Sequence, residues 1–128
     1  RAMSDSGRIT LEDTEEETRI RLTLRFDRAW ASVVKGIEDA DFVIDDRDRS
    51  EGLLYVTFVG PRDEEDSGWF DWLWGGEDEH PLAGHQYQIH LDRAGEELTL
   101  ITLRGPDGGA VDRRDQQALL TILRGNIT

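Results

Sequence analysis

The sequence predicts a single α+β domain, in which one face of an antiparallel sheet is covered by two helices. Three observations lead to this prediction. The chain has 128 residues, enough for one domain with a real core. Runs of alternating apolar and polar residues recur at hairpin spacing, which is typical of antiparallel strands. Two other segments each carry a single apolar stripe, so each can cover one sheet face and no more.

The chain is predicted to open with a leader that is followed by a strand. Residues 1–17 contain small residues and an acidic run, which indicates a flexible leader, so the folded domain is predicted over residues 18–128. Residues 18–26 alternate, with Ile20 and Leu22 on one side and arginines on the other. This pattern predicts a half-buried strand.

A helix is expected next, over residues 27–40, with Asp27 as its N-cap and Phe26 packed against its first turn. Residues 42–46 are predicted to form a short strand, and Gly52 indicates a turn after a run of charged residues. The apolar stripe of the helix consists of Trp30, Val33, Val34 and Ile37.

The second half of the chain is predicted to hold three strands and a closing helix. The strands are expected over residues 53–59, 85–93 and 96–104, with Gly95 in the hairpin turn between the last two. The closing helix is expected over residues 112–125. Asp112 is its predicted cap, and its apolar side chains are Leu119, Leu120, Leu123 and Ile127.

The charge of the chain is strongly negative and unevenly distributed. The formal net charge is −13, from 28 acidic and 15 basic residues. Residues 1–17 carry −4 and residues 61–80 carry −7, so the rest of the chain is nearly neutral. A negative charge of this size repels phosphate backbones, which disfavours nucleic acid as a partner.

No catalytic, metal-binding or cofactor-binding residues are predicted. The chain has no cysteine, which excludes disulfides and thiolate chemistry. His80, His85 and His90 lie five residues apart near an acidic run, but one lies in a loop and another on a strand, so they need not converge. Half of the 28 acidic residues lie in the leader and a loop, where water screens them, so we expect a protein that is not an enzyme.

An aromatic segment between the predicted strands provides the candidate partner-binding residues. Three of the four tryptophans lie within six positions, and acidic residues flank them. The segment could fill the core, form a contact surface for a partner, or lie on a lipid surface. We expect a mixed role in which one face packs on the sheet and the other docks a basic partner. The candidate residues are Trp69, Phe70, Trp72 and Trp74.

Three stretches of the sequence carry a resemblance to a known family. They are Phe26-Asp27-Arg28-Ala29-Trp30, the run from Glu38 to Val59 that contains Asp46-Arg47-Asp48-Arg49-Ser50, and the hairpin from Tyr87 to Gly108. Together with the aromatic segment, they resemble the BamC (NlpB) lipoproteins of the outer-membrane β-barrel assembly machinery. The similarity covers about residues 18–127 and is greatest to the C-terminal domain of that family.

The resemblance implies a helix-grip fold, a curved antiparallel sheet that grips its C-terminal helix, and a protein without catalytic residues. It also implies a scaffold or interaction domain that takes part in assembling outer-membrane proteins. The implied location is the cell outer membrane, through a lipid anchor outside these 128 residues. The implied partners are other subunits of the machinery (BamD- or BamA-like), with the domain itself expected to be a monomer. The alternative is a module that binds a small apolar ligand between the C-terminal helix and the sheet.

Overall fold

The computed structural model describes residues 9–59 and 84–127. This part of the chain forms one sheet of six strands and two α-helices, which confirms the predicted α+β class. A short 3-10 turn at Arg49–Glu51 links β3 and β4. The elements are β1 (Ile9–Asp13), β2 (Thr18–Leu22), α1 (Phe26–Asp39), β3 (Phe42–Asp48), β4 (Leu53–Phe58), β5 (His85–Gly95), β6 (Leu98–Arg104) and α2 (Arg113–Arg124).

The sheet is antiparallel throughout, with strand order β1-β2-β6-β5-β4-β3. Helix α1 packs on β3, β5 and β6, and α2 packs on β1, β2 and β6. The two helices also contact each other, so they share one face of the sheet, as predicted. This arrangement is the helix-grip form that the resemblance implies. Neither helix in the described part of the chain is long and apolar enough to cross a membrane.

The core lies between the helices and the sheet face that they cover. Directly opposed residues of an antiparallel pair point to the same face of the sheet. Along one strand the side chains alternate between the two faces, so every second side chain points into the core. In β4, the inward residues Leu54, Val56 and Phe58 have no exposed surface. The helical stripes supply the facing layer, in which Val33 and Ile37 of α1 and Leu119, Leu120 and Leu123 of α2 are fully buried.

The sheet begins earlier than the sequence predicted. Residues 9–13 were assigned to the flexible leader, but they form the edge strand β1, which pairs with β2. Ile9 lies opposite Leu22 and Leu11 lies opposite Ile20, so both β1 side chains reach the core face. This burial, rather than any strong local strand pattern, keeps β1 in the sheet.

The start of α1 also differs from the prediction. The helix begins at Phe26, its N-cap residue is Arg25, and no side chain caps it. Asp27 therefore lies in the first helical turn, where a carboxylate suits the positive end of the helix dipole. The predicted strand 18–26 ends at Leu22, because the chain turns there and the Leu24 N–H donates to the Leu22 carbonyl at 2.9 Å. In the same way β3 continues to Asp48, two residues beyond its predicted end.

Candidate functional site

A groove runs around the side chain of Phe26, at the end of the domain where α1 begins. Its main part has a volume of about 490 Å³ and is lined by residues of the α1 start and of the turn between β5 and β6. Two smaller hollows of about 200 and 230 Å³ adjoin it, because each shares lining residues with the main part. We call the three together the Phe26 groove. The main part is lined by Arg25, Phe26, Asp27, Arg93, Gly95, Glu96 and Glu97.

Phe26 is held in place by an aromatic and a cationic neighbour. Its ring lies 6.1 Å from the ring of Trp30, centroid to centroid, at an angle of 32°. On another side the Arg93 guanidinium lies 4.3 Å from the Phe26 centroid, a distance at which a cation is attracted to the face of a ring. The half-buried Phe26 ring thus supplies the apolar surface of the groove, and the Arg93 guanidinium packs against its face.

The turn at Gly52 closes the groove on the side of the sheet. Gly52 has a φ of 67°, and a Cβ atom there would lie 2.3 Å from the Leu91 carbonyl oxygen. The Gly52 carbonyl accepts a hydrogen bond from the Leu91 N–H at 2.7 Å. Only a residue without a side chain allows both the left-handed backbone and this close approach. The turn is thereby pressed against β5, beside Phe26.

The charged side chains of the groove are of both signs and are exposed to solvent. Six exposed side chains carry these charges: the arginines are Arg25, Arg28 and Arg93, and the acids are Asp27, Glu96 and Glu97. Such a surface can form several hydrogen bonds and ion pairs with a polypeptide, while Phe26 supplies apolar contact area. This combination resembles a protein interface, with an aromatic anchor and a polar rim.

The ionisable groups with shifted pKa values lie elsewhere in the described part of the chain. Burial raises the pKa of Tyr87 to about 12. Burial, together with the nearby Asp112, raises the pKa of Asp115 at the start of α2. Burial lowers the pKa of His90, and the charge of Arg104 adds to this effect. Each of these shifts favours the neutral form, as simple burial does, and none of these groups lines the Phe26 groove.

The residues that the sequence proposed for chemistry are only partly described. Trp69, Phe70, Trp72 and Trp74 lie outside the described residues, and so does His80. His85 and His90 both lie on β5, but an odd spacing of five residues places them on opposite faces of the sheet. Within residues 9–59 and 84–127, no three His, Asp or Glu side chains are grouped closely enough to hold a metal ion.

Sequence reasoning did not find the groove, although it had marked its parts. Phe26 was interpreted as a packing residue at the helix start, and Gly52 and Gly95 as turn residues. The three stretches that carried the family resemblance each contribute to the groove in the structure. Their convergence depends on the strand order, which brings the turns after β3 and β5 to the same end of the domain as the start of α1.

Comparison with known proteins gives a consistent result. Residues 7–127 match the family model described as "Outer membrane protein assembly factor BamC-like C-terminal domain". Outer membrane protein assembly factor BamC of Thiobacillus denitrificans is 32% identical over 102 residues, which cover 77% of this chain and 28% of that protein.

Two further relatives of the same name show similar values. The protein of Pseudoalteromonas atlantica is 30% identical over 72% of this chain and 24% of its own length. That of Ferrimonas balearica is 34% identical over 71% of this chain and 23% of its own length. The chain thus spans about a quarter of the length of the curated relatives that it matches.

Proposed function

The chain belongs to the family of outer membrane protein assembly factor BamC-like C-terminal domains, and we propose that it is a non-enzymatic interaction domain in outer-membrane protein assembly. Its proposed partners are other subunits of the β-barrel assembly machinery, of the BamD or BamA type. Its proposed location is the cell outer membrane, to which a lipid anchor elsewhere in the whole protein attaches it.

The observation that carries this proposal is the Phe26 groove. Five of the seven residues that line its main part are charged, and they surround one aromatic side chain. An apolar small molecule would leave those charges desolvated and unpaired, which is costly, whereas a polypeptide can pair with them.

The alternative, an apolar ligand between α2 and the sheet, has less support. In that space the inward side chains of α2 meet those of the sheet, and Leu119, Leu120 and Leu123 have no exposed surface. On the strands that α2 covers, Ile20 and Leu22 of β2 and Ile101 of β6 are also fully buried. Close packing of this kind leaves little room for a ligand.

The aromatic segment stays a second proposed contact surface. On the sequence pattern, Trp69 and Trp72 share one helical face, and Phe70 and Trp74 share another. We propose that the first pair contacts a partner and the second pair packs on the domain. Acidic residues on both sides of the segment would speed the encounter with a basic partner surface.

Site-specific photocrosslinking in a Gram-negative cell tests both surfaces. A photoreactive residue is placed at Glu97 in the groove, at Trp72 in the aromatic segment, or at Arg124 in the last turn of α2, as a control. Each position is changed separately in the full-length protein, and crosslinked products are identified with antibodies against the assembly subunits. We expect products from Glu97 and Trp72 and none from Arg124. Equal products from all three positions, or products from Arg124 alone, would contradict the proposal.

A further inference from the structure

The face of the sheet turned away from α1 and α2 carries both apolar and charged side chains. We call it the outer face. Because opposed residues in antiparallel strands point to the same side, the strand register assigns its residues without ambiguity. Its rows across the sheet are Arg21, Leu100 and Asp92; then Arg19, Thr102, His90, Leu53 and Asp48; then Arg104, Gln88, Tyr55 and Asp46.

From β2 or β6 onward, each of these three rows starts with an arginine and ends with an aspartate on β3 or β5. On β1, Thr10 and Glu12 lie opposite Arg21 and Arg19, and a fourth row of the face consists of Val43, Thr57 and Gln86. The basic side is largely neutralised within the domain, since Arg19 pairs with Glu12 at 3.0 Å and Arg104 with Glu17 at 3.6 Å. Among the described residues, Asp46 and Asp92 have no ion-pair partner on the acidic side. The outer face therefore presents an excess of negative charge over β3, β4 and β5.

Apolar side chains lie between the two charged sides. Leu53, Tyr55 and Leu100 are half-buried on the outer face although neither described helix packs on it. Val43 lies opposite Thr57 on the same face, and its exposed fraction of 40% marks it as the exposed large hydrophobic residue of the described chain. Apolar area beside unpaired acids is the composition expected of a contact surface rather than of a fully solvated one.

Thr102, in the middle row, adds an independent observation. Its exposed fraction is 4%, and its Oγ1 atom has no hydrogen-bond partner among the described residues. A buried hydroxyl without a partner costs free energy, and a docked segment that displaces the side chains covering it can supply the missing donor or acceptor. The neighbouring His90 does not fill this role, because its Nε2 atom is engaged with the Gln88 Oε1 atom at 3.0 Å.

We propose that the outer face is a second docking surface, which binds a basic polypeptide segment that also carries apolar residues. The segment's cations would pair with Asp46, Asp48 and Asp92, and its apolar side chains would cover Leu53, Tyr55 and Leu100. Apart from Asp92, which also lines one of the smaller hollows of the Phe26 groove, the residues of this surface lie outside that groove.

The charge of the outer face decides which kind of partner fits. A second copy of this chain would bring the same acidic excess against it, in a chain whose formal net charge is −13. Nucleic acid and anionic lipid are repelled for the same reason. A basic polypeptide is the partner whose charge is complementary to this surface.

An NMR titration of the isotope-labelled chain tests the proposal. The probe is a synthetic nine-residue peptide that alternates lysine and leucine, and the matched control peptide has glutamate in place of lysine. We expect the lysine peptide to shift the backbone amides of Leu53, Tyr55 and Leu100, and the glutamate peptide to cause no shifts at the same concentration. Shifts that concentrate on the Phe26 groove, or equal shifts by both peptides, would overturn the proposal.

Paired variants separate this surface from general charge attraction. Asp46→Asn with Asp48→Asn removes two outer-face charges that lie outside the Phe26 groove, while keeping the shapes of both side chains. We expect it to weaken binding of the lysine peptide roughly three- to tenfold at low salt. The control Glu15→Gln with Glu16→Gln removes two exposed charges in the turn between β1 and β2, and we expect a change of less than about twofold. Equal weakening by both pairs, or a dimer of the chain that the first pair dissociates, would overturn the proposal.

Discussion

At the scale of single residues, Gly52 controls how closely the turn after β3 approaches β5. Its positive φ of 67° and the 2.3 Å distance from a hypothetical Cβ atom to the Leu91 oxygen are two separate obstacles to any side chain. Gly84 shares only the first obstacle, because its φ is 83° but no atom of residues 9–59 and 84–127 lies within 4 Å of its hypothetical Cβ. The two glycines therefore allow backbone strain and steric conflict to be measured separately.

We expect Gly84→Ala to lower the free energy of unfolding by about 1–2 kcal/mol, the cost of a left-handed backbone with a side chain. Gly52→Ala is expected to cost about 3–4 kcal/mol, since the clash with Leu91 adds to the same strain. Urea denaturation of both variants gives the comparison. Equal losses for the two variants would show that the close approach to Leu91 carries no energetic weight.

At the scale of elements, a polar cluster fastens the start of α2 to the hairpin of β1 and β2. The Gln116 Oε1 atom accepts a hydrogen bond from the Thr18 N–H at 2.7 Å, and its Nε2 atom donates to the Val111 carbonyl at 2.7 Å. Arg113 donates to the Asp13 carboxylate and to the Thr14 carbonyl. The hydrogen bond from Thr18, with the neighbouring Arg113, holds the pKa of Asp13 below its usual value.

Changing Gln116 to alanine is expected to lower the free energy of unfolding by about 1–3 kcal/mol, because the buried Thr18 N–H loses its acceptor. Gln117→Ala is the matched control. Gln117 is half-buried and makes one long hydrogen bond to Asp13 at 3.2 Å, so we expect a loss below about 0.5 kcal/mol. Guanidinium denaturation of the two variants measures the difference. A loss for Gln116→Ala no greater than that for Gln117→Ala would mean that the cluster does not fasten α2.

The elements also show how far the sequence could predict the fold. Both helices and the five later strands were predicted because each has a strong local pattern, either a period, as in Ile20 and Leu22, or a short apolar run, as in Phe42 to Ile44. Strand β1 was missed because only Ile9 and Leu11 alternate there, within an acidic run. Strand β1 is held by its pairing with β2 and by its contacts with α2. Local sequence patterns do not report such tertiary contacts. The N-cap of α1 was misplaced because Asp27 has the residue type of a cap but Arg25 has the backbone position.

At the scale of the whole molecule, the Phe26 groove shows the same limit. Its parts come from three turns that lie far apart in the sequence, and each was interpreted locally as a packing or turn residue. Only the strand order places the turn of Gly52, the turn of Gly95 and the start of α1 together. The family, by contrast, could be anticipated, because the resemblance rests on residues that are contiguous in the sequence.

The central claim, that the Phe26 groove binds a partner in outer-membrane protein assembly, is tested most directly by filling the groove. Gly95 lines it, and a Cβ atom there would meet the Leu98 Cβ atom at 3.5 Å, an ordinary contact, so a side chain can be added without strain. Ala94 is exposed on the same turn and is not among the residues that line the groove, which makes Ala94→Phe the matched control for Gly95→Phe.

The measurement is the dissociation constant between the full-length protein and purified subunits of the β-barrel assembly machinery. We predict that Gly95→Phe weakens binding at least about tenfold, equivalent to about 1.4 kcal/mol, and that Ala94→Phe changes it less than about twofold. Both variants should melt at the temperature of the unchanged protein. Binding by Gly95→Phe that equals binding by Ala94→Phe, with both proteins folded, would contradict the account.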